Sequence, residues 1–257
     1  MLDLPPQIDA RSWLARWDQQ QELYMPFRER RFRAMFDLID SMLPPRFVAI
    51  DLACGPGSLT ERLLSRFPEA RSVLVDFDPV LLALGRRALD PLESRTRWIE
   101  ADLREPGWSS RLPEATADVV LSTTALHWFT SERLAQIYGE VAGGLKPGGL
   151  FLNGDHMSYG PDQSTLAAAV RRIADRDLAS ARARPGAEDW DLWWARVRSQ
   201  PALAELVAER DRRFPKEHGG EPKLTLEDHS ELLRGAGFRE VGVVWQEGAN
   251  RILAAVR

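Results

Sequence analysis

Short apolar runs alternate with helical stretches through residues 46–157, and this alternation constrains the fold more than any other feature of the sequence. Runs of this length, bounded by glycine, proline or aspartate, are typical of strands that a parallel sheet buries on both faces. The helical stretches between them predict βαβ units with right-handed crossovers. The predicted strands are residues 46–52, 72–76, 96–100, 117–122 and 150–153.

The chain is predicted to be helical before this alternation and mostly helical after it. Residues 8–42 interleave charged and apolar positions, and Pro26 is expected to interrupt the helix. Residues 161–222 have no strand signal. Strands return at the end, where residues 240–245 and 251–256 flank a short turn and predict an antiparallel hairpin. The helices predicted after residue 160 are residues 162–178, 188–199, 201–213 and 226–235.

These elements predict one α/β domain over residues 1–257, built on a doubly wound, seven-stranded sheet of five parallel strands plus the C-terminal antiparallel hairpin. The helices predicted between residues 161 and 222 are expected to cover the carboxyl ends of the strands as a lid. Such a lid suits a small-molecule partner, since it would obstruct a folded protein or a duplex. The predicted parts are an N-terminal helical segment (1–45), a ligand-binding core (46–157), the lid insertion (158–223) and a terminal helix with the hairpin (224–257).

Composition excludes several classes of partner. A net charge of -4, from 34 basic and 38 acidic residues, gives no overall basic surface for nucleic acid. The lone cysteine, Cys54, excludes an intrachain disulfide and agrees with a reducing cytoplasm. No uncharged apolar stretch approaches the roughly 18 residues of a membrane helix, and no secretory signal is recognisable. We therefore expect a cytoplasmic monomer or homodimer with no nucleic-acid or membrane partner. The excess of arginine over lysine is typical of GC-rich bacterial genomes.

A glycine-containing loop, residues 51–57, joins the first predicted strand to the following helix. Ligands of open α/β sheets bind at this edge, and Gly55 and Gly57 allow the backbone to approach one closely. The loop matches neither the dinucleotide fingerprint nor the phosphate-binding loop. Asp51 suits an ammonium group better than a pyrophosphate, which favours a zwitterionic, sulfonium-bearing nucleoside. A tight turn without any ligand is the alternative interpretation of the loop alone.

Two further acids follow the next two predicted strands. A carboxylate at Asp76, about 20 residues beyond the loop, is placed to accept hydrogen bonds from ribose hydroxyls. Asp102 is placed to accept one from an adenine amino group. Each acid by itself is more typical of a helix cap or a solvated turn. Three acids at the ends of three successive strands favour a ligand site.

Together these motifs resemble those of the class I S-adenosylmethionine-dependent methyltransferases. Residues 48–60 resemble the first motif of that family, with Ala53 where a glycine is usual. The resemblance implies a Rossmann-like fold, S-adenosyl-L-methionine as cofactor, and methyl transfer to a small-molecule acceptor. The other similar segments are residues 75–79, 100–103, 117–120, 126–128 and 145–151.

The resemblance also implies positions for the cofactor. The loop backbone would contact its methionine part, the residues after the second and third strands its ribose and adenine, and those after the fourth strand its sulfonium end. The N-terminal helix would close over it. The implied residues are Tyr24 and Arg28 of the helix, Asp51, Ala53, Cys54, Gly55 and Gly57 of the loop, Asp76 for the ribose, Phe77, Asp102 and Leu103 for the adenine, and Ser122 or Thr123 for the sulfonium.

Methyl transfer from a sulfonium is an in-line displacement, which requires alignment of acceptor and methyl group and exclusion of water. A general base is needed only when the acceptor arrives protonated. His127 and His156, after the fourth and fifth strands, are the catalytic candidates, and ordinary packing is the alternative for each. Asp155 and His156 lack a second metal-like cluster, so no metal is predicted.

Three interpretations of the function stay open. The first is methylation of a small metabolite. The second is a cofactor-modifying enzyme resembling carboxy-S-adenosylmethionine synthase, because residues 243–255 loosely resemble its end. The third is a non-catalytic S-adenosylmethionine-binding scaffold. The tryptophans of the insertion have helical spacing, which is typical of packing, with an apolar acceptor pocket as the alternative; they are Trp190, Trp193 and Trp194.

Overall fold

The computed structural model describes residues 2–112, 117–184, 186–214 and 224–257. Seven strands form one sheet in the order β3-β2-β1-β4-β5-β7-β6. The first five pair in parallel, and β7 pairs antiparallel to both β5 and β6. The predicted fold class is thus confirmed, with the topological switch between β1 and β4. The strands are β1 Val48–Leu52, β2 Arg71–Asp76, β3 Thr96–Glu100, β4 Ala117–Thr123, β5 Leu145–His156, β6 Glu240–Glu247 and β7 Asn250–Val256.

Helices flank both faces of this sheet, and local sequence explains several of their ends. The break between α1 and α2 includes Pro26, as predicted. Asp78 caps α4 by accepting hydrogen bonds from the N–H groups of Val80 and Leu81, with Pro79 as the first helical residue. The helices are α1 Ala10–Tyr24, α2 Arg28–Met42, α3 Ser58–Arg66, α4 Pro79–Ala88, α5 Ser131–Gly144, α6 Ser164–Arg182, α7 Trp190–Arg198, α8 Ala204–Arg213 and α9 Leu226–Gly235.

The fifth strand is longer than its apolar run predicts. It begins at Leu145, which pairs with Ala117 before the register shifts. The N–H of Gly148 donates to the carbonyl of Arg257, and the N–H of Arg257 donates to the carbonyl of Gly149. These long-range bonds keep a proline- and glycine-rich segment in the sheet, where local propensity predicts only a turn.

Alternating residues of the central strands pack into two hydrophobic cores, one on each face of the sheet. Ala49 faces a core that includes Met35 of α2 and Leu63 of α3. Its neighbour Ile50 faces the opposite core, which includes Ile137 of α5 and other residues of α5 and α9. This alternation buries β1 on both faces and fixes which side chains reach its carboxyl end.

The insertion packs against α1 through tryptophans. Trp193 makes edge-to-face contacts with Trp13 and Trp17, at ring-centroid distances of 5.5 and 5.1 Å. Each such pair contributes about 0.5–1.5 kcal/mol beyond the area it buries. Trp193 and Trp194 are both buried, in agreement with the packing interpretation.

The end of the insertion reaches the sheet. On α8, Arg210 pairs with Asp78 at 2.6 Å and Arg213 pairs with Glu100 at 2.7 Å, so the helix lies beside the carboxyl ends of β2 and β3. The last predicted lid residues, 215–223, lie outside the described residues. The lid function itself stays a prediction. Within the described ranges, no helix is both long and apolar enough to cross a membrane.

Candidate active site

The loop between β1 and α3 owes its shape to left-handed backbone. Ala53, Gly55 and Gly57 have φ of 56°, 55° and 84°. The N–H of Gly57 donates to the carbonyl of Cys54, and the N–H of Cys54 donates to the carbonyl of Val75, each at 3.0 Å. Ala53 adopts a conformation that glycine would adopt freely, at a cost of about 1 kcal/mol. The departure from the family glycine therefore leaves the loop conformation intact.

Replacing Gly57 with alanine is expected to destabilise the protein by about 2–3 kcal/mol, because both backbone and packing oppose the new methyl group. A Cβ there would lie 3.0–3.1 Å from side-chain atoms of Trp98, Leu74 and Leu89. Gly148→Ala is the matched control: its φ is 78°, but a Cβ would meet nothing within 4 Å. Urea unfolding should give the control only the backbone cost, about 1 kcal/mol. Equal losses would show that the space around Gly57 is not limiting.

Asp76 connects the end of β2 to this loop. Its carboxylate accepts hydrogen bonds from the N–H groups of Gly55 at 2.7 Å, Phe77 at 2.7 Å and Asp78 at 2.8 Å. Burial raises the pKa of Asp76 to about 6, although these bonds favour the ionised form. The acid predicted to bind the ribose therefore also fixes the loop.

Asp51 lies within β1, with its side chain directed at the first turn of α3. It is 1% exposed, and Thr60 donates a hydroxyl hydrogen bond to its Oδ2 at 2.7 Å. Burial raises the pKa of Asp51 to about 7. Its Oδ1 and the hydroxyl of nearby Ser58 are buried without a partner among the described residues. Orphaned polar atoms of this kind are costly unless a polar ligand satisfies them, so the loop fits a zwitterionic cofactor.

The side chains predicted on the N-terminal helices have protein partners. Arg28 is buried and donates to Asp18 at 2.8 Å, and burial lowers its pKa. The hydroxyl of Tyr24 accepts a hydrogen bond from the N–H of Trp190 at 3.2 Å, which ties α1 to α7. Gln20, also on α1, is fully buried, and neither amide atom has a described partner. Gln20 was not among the residues predicted for the site, although it continues the buried stripe of Trp13 and Trp17.

The residues predicted to flank the adenine contact other protein groups in the structure. The guanidinium of Arg104 lies 5.3 Å from the ring centroids of both Phe77 and Phe214 and makes a two-pronged ion pair with Asp102. Leu103 is buried, and its carbonyl accepts a hydrogen bond from the Nε of Arg133 on α5. An adenine amino group can reach Asp102 in this geometry only if Arg104 gives up part of its pairing.

Two other predicted residues are largely committed to the fold. The hydroxyl of Ser122 is fully buried and donates to the carbonyl of Leu52 at 2.9 Å, which joins the ends of β4 and β1. Cys54 is buried, and burial raises the pKa of its thiol. Neither polar group is presented to a ligand as a free side chain, so their contribution to the cofactor site would come through backbone and shape.

His127 and Asp155 form a pair at the carboxyl ends of β4 and β5. The Nδ1 of His127 lies 2.7 Å from one oxygen of Asp155, and its backbone N–H donates to the other at 3.2 Å. Asp155 also accepts the backbone N–H of His156 at 2.8 Å. Burial raises the pKa of Asp155, but the bond from His127 and the charges of His127 and Arg31 outweigh it and hold that pKa below the ordinary value. The carboxylate thus stays ionised and orients the imidazole, which is 23% exposed.

Arg31 of α2 is a site residue that the sequence analysis missed. It is 1% exposed, and its Nη2 donates to the hydroxyls of Thr123 and Thr124. Its Nε and Nη1 have no hydrogen-bond partner among the described residues. Burial lowers the pKa of Arg31 to about 10, while the charge of Asp155 opposes the shift, so the guanidinium stays protonated. The signal in the sequence that could have indicated this residue is its position next to the apolar residues of α2.

The backbone next to Arg31 has an unusual conformation at Thr124 and little space for a side chain at Gly154. Thr124 has a φ of 56°, which is rare for a β-branched residue. A Cβ at Gly154 would lie 3.2 Å from the Cδ and Nε of Arg31 and 2.6 Å from Met35. Such strain concentrates at functional sites. In the part of the chain that the structure describes, no group of three or more acids, histidines or cysteines could hold a metal ion.

The order of the strands and the glycine loop after β1 are typical of Rossmann-like nucleoside-binding proteins. The family model "Methyltransferase domain" matches residues 49–149. A trans-aconitate 2-methyltransferase of Azoarcus sp. (strain BH72) is 33% identical over 193 residues, covering 69% of this chain and 71% of that protein. The chain belongs to the class I S-adenosylmethionine-dependent methyltransferases. It is an enzyme that uses S-adenosyl-L-methionine to methylate a small-molecule acceptor.

Solved structures share the fold at low identity. An O-methyltransferase family protein of Burkholderia thailandensis is 22% identical with a TM-score of 0.55, covering 90% of this chain. Human N-acetylserotonin methyltransferase in complex with S-adenosylmethionine is 17% identical with a TM-score of 0.53, covering 96% of this chain. This chain spans 58% and 57% of the lengths of those two proteins.

Proposed function

We propose that this enzyme methylates a carboxylate of a small polycarboxylic acid such as trans-aconitate and forms a methyl ester. The observation that carries the proposal is Arg31, a buried guanidinium at the ends of β4 and β5 with two nitrogen donors that have no partner among the described residues. The Azoarcus relative is named for methylation of trans-aconitate, which agrees with an anionic acceptor.

A buried, incompletely paired charge is destabilising by itself. Asp155 offsets the charge of Arg31 only at a distance, since no ion pair within 4 Å joins them in the described chain. An acceptor carboxylate would accept hydrogen bonds from Nε and Nη1 and neutralise the cation. Charge-assisted bonds of this kind are the strong ones in proteins, and they would position the acceptor.

The chemistry needs no proton transfer. A carboxylate of the acceptor is ionised at neutral pH, so one of its oxygens forms the new bond to the methyl carbon as the carbon–sulfur bond breaks. The reacting carboxylate would become an uncharged ester group and the sulfonium an uncharged thioether, so the charges of the two reacting groups cancel while the other carboxylates of the acceptor stay ionised. Water exclusion by α1 and the insertion would favour this cancellation of charge.

The cofactor positions implied by the resemblance belong to the same proposal. Asp51, through its orphaned Oδ1, would bind the ammonium group of the methionine part. Asp76 would bind the ribose while holding the N–H of Gly55. Phe77 would lie beside the adenine after Arg104 moves. The buried orphan atoms beside the loop support this orientation.

A turnover assay tests the acceptor class. The enzyme is incubated with S-adenosylmethionine and, separately, trans-aconitate, a monocarboxylic enoic acid such as crotonate, a phenol and an amine. We expect the demethylated cofactor to accumulate fastest with trans-aconitate, and mass spectrometry to find a product heavier by one methylene that mild alkali returns to the acid. Methylation of only the phenol or the amine, or an alkali-stable product, would overturn the proposal.

A further inference from the structure

Asp155 fixes the orientation of His127 and leaves one ring nitrogen, Nε2, for another contact. An ionised acceptor gives His127 no proton to remove. Both its backbone N–H and its Nδ1 are bonded to the buried carboxylate of Asp155. The side chain is 23% exposed, and Nε2 is the ring nitrogen that Asp155 does not engage. A general base is superfluous for a carboxylate acceptor, so the rigid placement of His127 calls for another explanation.

We propose that His127, held by Asp155, donates a hydrogen bond from Nε2 to a second carboxylate of the acceptor and thereby selects polycarboxylic acids. This inference rests on the proposed function. Asp155 receives the Nδ1 proton, so a carboxylate at Nε2 requires a proton there as well. The bound imidazole is then an imidazolium, whose charge is shared between Asp155 and the acceptor.

Arg31 and His127 are placed on opposite sides of β5, and this placement supports selection of acceptors that carry two carboxylates. Gly154 faces α2, where Arg31 lies against it. The next residue, Asp155, faces the opposite side because side chains alternate along a strand, and it holds His127 there. An acceptor at the end of β5 would thus meet a guanidinium from one side and an imidazole from the other. A monocarboxylate can engage only one of these donors fully.

Charged and titratable groups on three further elements lie around the pair of His127 and Asp155. Asp155 of β5 supplies the negative charge, and the positive charge of Arg31 of α2 also acts on that carboxylate. On α9, burial lowers the pKa of His229, which keeps this residue neutral, and its ring bonds the hydroxyl of Tyr138 of α5 at 2.7 Å. His156 follows Asp155 on β5 and donates its backbone N–H to it.

Two variants separate donation from base catalysis. His127→Phe keeps an aromatic ring near Trp128 but removes the donor, whereas His127→Gln restores an amide donor that cannot act as a base. For trans-aconitate we expect His127→Phe to raise KM by about 10- to 100-fold, the contribution of one hydrogen bond to a charged group. Its kcat should stay within about threefold, and His127→Gln should recover most of the KM. Neither variant should change KM for crotonate.

Binding without turnover completes the test. Calorimetric titration of trans-aconitate into the enzyme complexed with S-adenosylhomocysteine should give binding that is about 10- to 100-fold weaker for His127→Phe than for wild type, and near wild type for His127→Gln. A large loss of kcat in both variants, with removal of the acidic limb of the pH–rate profile, would identify a base and overturn the inference. An unchanged KM and an unchanged affinity for trans-aconitate in His127→Phe would also overturn it. Wild-type binding without methylation would instead refute the proposed function.

Discussion

Replacing Arg31 with methionine is expected to lower kcat/KM for the carboxylic acceptor by at least about 100-fold, because the acceptor loses a buried, charge-assisted contact. The affinity for S-adenosylmethionine should change by less than about threefold, since Arg31 contacts β4 and β5 and not the glycine loop. The free energy of unfolding should stay the same or rise. Methionine fills much of the same volume, and it removes a buried charge whose Nε and Nη1 are unpartnered in the described structure.

This combination of effects distinguishes binding from packing. Arg33→Met on the exposed side of the same helix is the matched control and should change neither rate nor stability. Arg31→Lys keeps a point charge and should retain intermediate activity, because lysine cannot reproduce the planar donor set. Steady-state kinetics, cofactor calorimetry and urea unfolding measure the three quantities. A destabilised Arg31→Met with normal kcat/KM would assign Arg31 to the fold alone.

The sheet could be predicted from local patterns because every predicted strand except the edge strand β3 is largely buried or lies in a hairpin. The five apolar runs and the terminal hairpin are present in the structure near their predicted bounds. The Asp78–Pro79 start of α4 follows from capping chemistry that spans only a few residues. Local patterns predict less where long-range hydrogen bonds determine the structure. The segment around Gly148 belongs to β5 because it forms hydrogen bonds with Arg257.

The polar contacts of the site could not be predicted in the same way, because their partners are distant in sequence. Arg31 and Thr123 are separated by 92 residues, and His127 and Asp155 by 28. The sequence analysis identified His127 as a candidate base, but only the bond to Asp155 fixes the orientation of its ring. For Asp102, the sequence gives no sign that Arg104 pairs with it between two phenylalanine rings. Burial and pairing of charges depend on tertiary contacts, which local periodicity does not encode.

Asp51→Asn is expected to stabilise the cofactor-free enzyme at pH 8 by about 2–4 kcal/mol, because burial raises the pKa of the native carboxyl from 3.8 to about 7. Between those values the unfolded chain loses the proton while the native protein retains it. Wild-type stability due to this group is therefore full below pH 4 and lost as the pH rises to 7. Asparagine cannot ionise, and its amide oxygen can still accept the bond from Thr60.

The stabilised variant should bind S-adenosylmethionine at least about tenfold more weakly, since it lacks the carboxylate proposed to pair with the ammonium group. Urea unfolding from pH 4 to pH 8 should show a difference from wild type that grows up to pH 7 and then levels. Asp175→Asn, at an exposed position of α6, is the control and should show no such trend. A constant difference across this range would mean that Asp51 is ionised throughout. Unchanged cofactor affinity would instead place the ammonium group elsewhere. The Oδ1 of Asp51, which has no partner among the described residues, would then destabilise the protein without contributing to cofactor binding.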